Sequence, residues 1–184
     1  MQRHLMTLEK IEKLAERIGF SAINRINMEA LVTLKEVRDM CAADKCNMYG
    51  KRWSCPPSPI CGNIDDAEKN MRSFKEGLLL QYTENMKNPF DYEAIRNAEK
   101  THKKMFEVLV YLVRITGTRY LALGSGACTR CYTCTYPDKP CRYPDKLYPS
   151  MEAYGLMVSD VCARSGVPYN YGTQAMTFTA CILI

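Results

Sequence analysis

Apolar residues recur along the chain in two different periods. Leu5, Leu8, Ile11, Leu14 and Ile18 stand at three- and four-residue steps among charged residues, the pattern of an amphipathic helix, and Gly19 closes it. Residues 20–26 then read as a strand. A second helix is expected to open at Asn63, with Asp65 and Asp66 in its first turn and Ile64, Ala67, Met71 and Phe74 on one face, and to stop at Gly77. The run LLLQY, residues 78–82, follows as a buried strand. Residues 92–115 form the longest periodic stretch, with Ile95, Ala98, Met105, Phe106, Leu109, Leu112 and Val113 facing inward and Gly117 just beyond its end. YLALG, residues 120–124, reads as a strand. Ser150 caps an expected helix with Tyr154, Met157, Val158 and Val161 as its apolar stripe, ended by Gly166 and Pro168. MTFTACILI, residues 176–184, is a final strand.

This alternation implies an α/β fold: one domain over residues 1–184, in which a sheet of about four strands is covered by helices. Two segments fit neither period, residues 41–61 and 126–146, and read as loops; they hold eight of the ten cysteines. A chain of 184 residues buries enough surface to fold without disulfides, so this many cysteines point to chemistry instead of stapling. The N-terminal stretch is charged throughout, without the apolar core and cleavage site of a secretory signal. No apolar run approaches the ~20 residues of a spanning helix. A cytoplasmic location is therefore expected.

CTRCYTCTYPDKPC, residues 128–141, carries the strongest chemical signal. Cysteine thiolates grip an iron–sulfur cluster best from an irregular loop, because close spacings wrap the chain around the cluster and aim backbone N–H groups at its sulfurs. Cys128, Cys131 and Cys134 have that spacing, and Cys141 follows after six residues, placed either to close the same cluster or to ligate another. Tetrahedral zinc also accepts four thiolates, but it usually takes paired C-x2-C knuckles. Upstream, Cys41, Cys46, Cys55 and Cys61 form a second group; Pro56 and Pro57 stiffen its loop, and Tyr49 and Trp53 are placed to screen a cluster from water. The plain alternative is a structured loop with buried thiols.

The combination C-x4-C-x2-YG-x2-W-x-CPP, then C-x2-C-x2-C-x6-CR-x-P and PSMEAYG, resembles a family of cysteine-rich "predicted metal-binding proteins" found mainly in anaerobic archaea and bacteria. The resemblance covers nearly the whole chain and implies cluster binding, with no assigned reaction. Its shared pattern includes positions matching Cys41, Cys46 and Cys55 and offers no counterpart of Cys61. Three thiolates would leave one upstream iron open, and an open position is how a metal centre binds a substrate atom.

The formal charge is +5, and two clusters of about −2 each would bring it to about +1, which argues against a nucleic-acid partner. Lys100 to Lys104 reads as a solvated helix face. Arg142, Arg52 and His102 are the candidate catalytic residues beside the thiols, with Lys51 of similar standing to Arg52; for His102, on the long helix, a packed core histidine is the competing reading. Gly124-Ser125-Gly126 has the composition of a phosphate-binding turn, but no helix pattern follows it, so it reads as a flexible lead-in to the cysteine loop. Cys162 and Cys181 read as core thiols.

These observations lead to an expected iron–sulfur redox protein with two [4Fe-4S] clusters, the downstream one relaying electrons to an upstream one that takes a small substrate, as in a cluster-dependent reductase or sulfur-chemistry enzyme. Its partner would be that substrate or a redox protein. An electron carrier or docking subunit with two closed clusters, and a zinc-stabilised interaction module, are the alternatives.

Overall fold

Residues 78–80 and 180–183 are apolar without interruption, and the pleat of a strand sends successive side chains to opposite faces. A sheet built from such strands needs cover on both sides. The computed structural model describes residues 5–184; His4, one of the two histidines, lies outside them. In it α1 (Leu8–Ile18), β1 (Ala22–Arg25), α2 (Lys35–Ala42), α3 (Ile64–Arg72), β2 (Gly77–Asn85), α4 (Tyr92–Ile115), β3 (Leu121–Leu123), α5 (Val158–Arg164) and β4 (Ala175–Leu183) follow in order. The strands form one sheet, β1-β2-β4-β3, antiparallel throughout, with β2 and β4 paired over nine residues from Gly77↔Leu183 to Asn85↔Ala175. The mixed α/β architecture with four strands is the one expected.

Alternation decides which helix covers which face. Leu78, Leu80, Ala180 and Ile182 join Ile11 of α1 and Leu109, Val110 and Val113 of α4 in one core. Leu79, Cys181 and Leu183 join Met71 of α3, Val161 of α5 and the buried segment Met151–Leu156 in the other. Cys162 and Cys181 are fully buried core thiols, as read from the sequence. Among the described residues no helix is long and apolar enough to cross a membrane.

Three expectations need correction. The helix opening at Asn63, whose side chain accepts the Asp66 N–H, ends at Arg72 instead of Gly77, because the chain must turn through residues 73–76 to enter β2, where Lys75 and Glu76 donate to the Ile184 carbonyl. The expected helix after Ser150 is broken. Gly155 takes a left-handed φ of 81°, separating a 3-10 turn at Glu152–Tyr154 from α5, and its carbonyl accepts the Leu34 N–H at 2.8 Å. Finally, residues 41–61 are not all loop: Cys41 lies in the last turn of α2 and Cys61 in a 3-10 turn, Pro59–Cys61.

Gly77 pairs with Leu183 where β2 and β4 leave no room for a side chain. A Cβ there would lie 2.4 Å from Leu183 Cδ2 and 2.8 Å from the Ile182 carbonyl oxygen. Gly77→Ala is expected to destabilise the fold by about 1–3 kcal/mol, as overpacking does, read as a lower urea midpoint with unchanged slope.

Candidate metal centre

Helical spacing puts Leu34, Val37 and Cys41 on one side of α2, at steps of three and four. Val37 is buried, and α2 packs on the 3-10 turn Glu152–Tyr154, which brings the Cys41 Sγ to 4.0 Å from the Glu152 carbonyl oxygen. From the same helix Arg38 Nη2 donates to the carbonyls of Cys61 and Gly62, both at 2.9 Å, and so fixes the Pro59–Cys61 turn against α2. Asp44 organises the intervening loop by accepting the Tyr49 N–H at 2.8 Å and pairing with Lys51 at 3.2 Å.

These ties gather the upstream thiols into one neighbourhood. Cys41 feels the charge of Cys46, Cys55 that of Cys46 and Cys41, and Cys61 that of Cys55 and Cys41. Cys46 is exposed, Cys41 and Cys55 are half-buried, and Cys61 is 1% exposed. Burial raises the pKa of all three inner thiols, pushing Cys61 up to about 12 against the opposing pull of Arg38. The protein alone therefore keeps them as thiols, and a bound cation would have to displace their protons.

Three more polar groups stand here that the sequence did not single out. Arg38 Nε, Ser58 Oγ and Glu152 Oε2 are buried without a hydrogen-bond partner; His102 Nδ1 is the fourth such atom among the described residues. Arg38 and Ser58 line a cavity of about 540 Å³ together with Tyr49, Pro56 and Pro57, and Glu152 acts electrostatically on Cys41. A helical reading of residues 34–41 would have found Arg38, three residues before Cys41.

Downstream, Cys128, Cys131, Cys134 and Cys141 all line a single pocket. Its loop folds on itself: Lys139 N–H donates to the Thr135 carbonyl at 2.9 Å, Thr135 Oγ1 to the Pro140 carbonyl at 2.9 Å, and Arg142 Nη1 to the Thr133 carbonyl at 2.9 Å. The Tyr143 N–H points at the Cys141 sulfur, 3.4 Å away, the kind of donor that a thiolate centre uses. Arg52, Arg130, Arg142 and Lys146 surround the same pocket with positive charge.

The two cysteine groups touch. Arg52 Nη1 donates to the Cys131 carbonyl at 2.7 Å, Trp53 Nε1 to the Lys139 carbonyl at 3.1 Å, and Ser54 Oγ, fully buried, accepts the Cys128 N–H at 2.9 Å. Trp53 also meets Tyr136 edge to face, with ring centroids 5.0 Å apart. Arg52 and Arg142 thus bind loop carbonyls beside the thiols. His102 lies elsewhere, in the core between Phe20, Phe106 and Phe178, with Nε2 3.3 Å from the Leu80 carbonyl oxygen.

Among the described residues no three of His, Cys, Asp or Glu already stand close enough to hold a metal ion. The downstream pocket, about 20 Å³, has room for about one water. Loading either group requires its thiols to turn toward a common centre.

Comparison with known proteins supplies the family. The family model described as "Predicted metal-binding protein (DUF2284)" matches residues 24–184, and the chain belongs to that family. No similar curated protein and no similar solved structure was found.

Two predictions follow from the contacts. Ser54→Ala leaves the Cys128 N–H without its acceptor and should cost about 1–3 kcal/mol. Amide exchange in residues 128–134 should then quicken while α4 stays protected; unchanged exchange in the loop would show that the contact does not hold it. The second concerns His102, whose pKa burial lowers to about 4. The unfolded chain, titrating near the ordinary value of about 6.5, binds the extra proton first, so stability is intact above that pH and declines as pH falls toward 4, by up to roughly 3 kcal/mol. Denaturant titrations at pH 7 and pH 5 should show the loss, and His102→Gln should shrink it.

Proposed function

From its place in that family we propose that the protein is an iron–sulfur redox protein with two [4Fe-4S] centres. Cys128, Cys131, Cys134 and Cys141 would hold one, and Cys41, Cys46 and Cys55 the other, with Cys61 beside them. The observation that carries this reading is the clamp of Arg52, Trp53 and Ser54, which seats one cysteine loop on the other. When bound, such a pair supplies one-electron transfer from the downstream centre to the upstream one, where an iron lacking a thiolate also offers a substrate position.

The residues fit these groups in kind and number. Four thiols share the downstream pocket, and four cationic side chains are in place to offset the negative charge of a thiolate-bound centre. Upstream, the partnerless Arg38 Nε, Ser58 Oγ and Glu152 Oε2 fit a polar site that awaits a group, since buried polar atoms are otherwise hydrogen-bonded. Arg38 offers a donor to a small anionic substrate at that cavity, beside the Ser58 hydroxyl.

One observation favours a second reading. The Cys61 thiol is buried next to Cys41 and Cys55, whereas Cys46 is exposed. If Cys61 completes the upstream set, both centres are closed, and the protein is an electron carrier or a docking subunit.

Anaerobic purification should yield about eight irons and eight acid-labile sulfides per chain, with visible absorption that bleaches on reduction. About two zinc ions without sulfide would instead identify the zinc-stabilised module. The Cys61→Ser variant separates the two iron readings. Full iron content, with an EPR spectrum that still shifts on adding a small thiol, is the expected result for an open upstream centre; loss of roughly half the iron would make the carrier the correct reading.

A further inference from the structure

We propose that a separate cavity, beside the downstream cysteine loop, binds a small molecule through a phosphate-type oxyanion. The cavity measures about 250 Å³ and is lined by α4 residues between 100 and 107, by the segment 124–130, and by Lys146 and Tyr148. It adjoins the cysteine pocket, with which it shares Cys128, Arg130 and Lys146. The site stands whichever metal the cysteines hold.

Charge is the first argument. Lys100, Lys103, Lys104, Arg130 and Lys146 line the cavity against the single carboxylate of Glu107. Glu107 is shared between Arg130 and Lys146, so that side of the wall keeps a net positive charge. Lys103 is committed to structure, donating to Glu99 at 2.5 Å and to the Ala127 carbonyl at 2.6 Å, and thereby holds the turn 124–127 against α4. Among the described residues Lys100 and Lys104 pair with no carboxylate, and both are exposed at the cavity. A cationic ligand has no reason to enter such a site.

The turn supplies the second argument. Gly124 is bonded on both sides, its N–H to the Pro149 carbonyl and its carbonyl to the Met151 N–H. The next three amides, of Ser125, Gly126 and Ala127, donate to no acceptor among the described residues. Successive free N–H groups in a turn, in a wall of excess positive charge, make an anion-binding concavity without needing a following helix. Gly126 has a φ of +61°, and a Cβ there would meet no heavy atom within 4 Å, so the space over the turn is open. This is the segment whose composition suggested a phosphate-binding turn; the donors and the cations now stand together.

Several donors and several cations favour a compact, multiply charged oxyanion over a single carboxylate. The cavity is below the usual size of a drug-like pocket, which limits the ligand to a phosphate with a few further atoms.

Isothermal titration of the purified holoprotein with pyrophosphate as the probe should show saturable binding at one site, with acetate giving none. The double variant Lys100→Ala, Lys104→Ala should weaken it at least about tenfold with an unchanged melting temperature, since charge-assisted bonds are lost. A matched pair on α1, Lys10→Ala with Lys13→Ala, should leave the affinity as it was. Pyrophosphate should also slow amide exchange at residues 125–127. The proposal is overturned by absence of binding at millimolar pyrophosphate, by equal weakening in both double variants, or by binding of a single-stranded oligonucleotide in place of pyrophosphate.

Discussion

A sheet that is apolar on both faces must be covered twice, and the placement of both cysteine groups depends on that constraint. Leu78 and Leu80 call for α1 and α4 on one side, while Leu79, Cys181 and Leu183 call for α3, α5 and the segment around Tyr154 on the other. Met151 and Tyr154 belong to that second core and Ala153 is buried beside them in the chain, so the turn that carries Glu152 is held by apolar burial. Through it the core reaches Cys41: α2, with Val37 buried, packs onto this turn, and the Gly155 carbonyl fixes the chain just before the helix. The upstream thiols therefore sit on a rigid support even though most of their segment has no regular structure.

Two electrostatic tendencies oppose each other at these thiols. Burial favours the neutral form of Cys41, Cys55 and Cys61, while Arg38 and Arg52 favour the thiolate and are the weaker influence. A multivalent cation adds far more charge than a guanidinium and inverts the balance. The downstream thiols are differently placed, in a half-exposed pocket ringed by Arg and Lys. The same chemical group is thus kept in two environments within one protein.

Much of this was legible in the residues. All four strands lie where apolar runs and turn residues put them, and α4 spans the residues that its periodicity marked. The short helix α2 escaped notice because its apolar positions, Leu34 and Val37, are few and its third inward position is a cysteine, which reads as a ligand before it reads as a helix residue. Gly155 reads as helical in the sequence because its left-handed turn answers to a distant partner, Leu34. The clamp at residues 52–54 left no local trace at all. Arg52 and Ser54 act on carbonyl and amide groups that any residue at positions 131 and 128 would present, so nothing in the spacing of the cysteines announces that the two loops meet. Motif spacing reports which residues can share a ligand. It does not report which motifs share a wall.

The order of the sheet sets the order of assembly. β4 lies between β2 and β3 yet is the last of the four strands along the chain, so β3 has no partner until residues 175–183 have been made. During synthesis both cysteine loops leave the ribosome before the strand that closes the sheet beneath them, and pairings this distant in sequence form slowly. Eight thiols are therefore made before that last pairing is in place. For such a topology the hazard of oxidation begins on the nascent chain, and a reducing surrounding already matters before the sheet is closed.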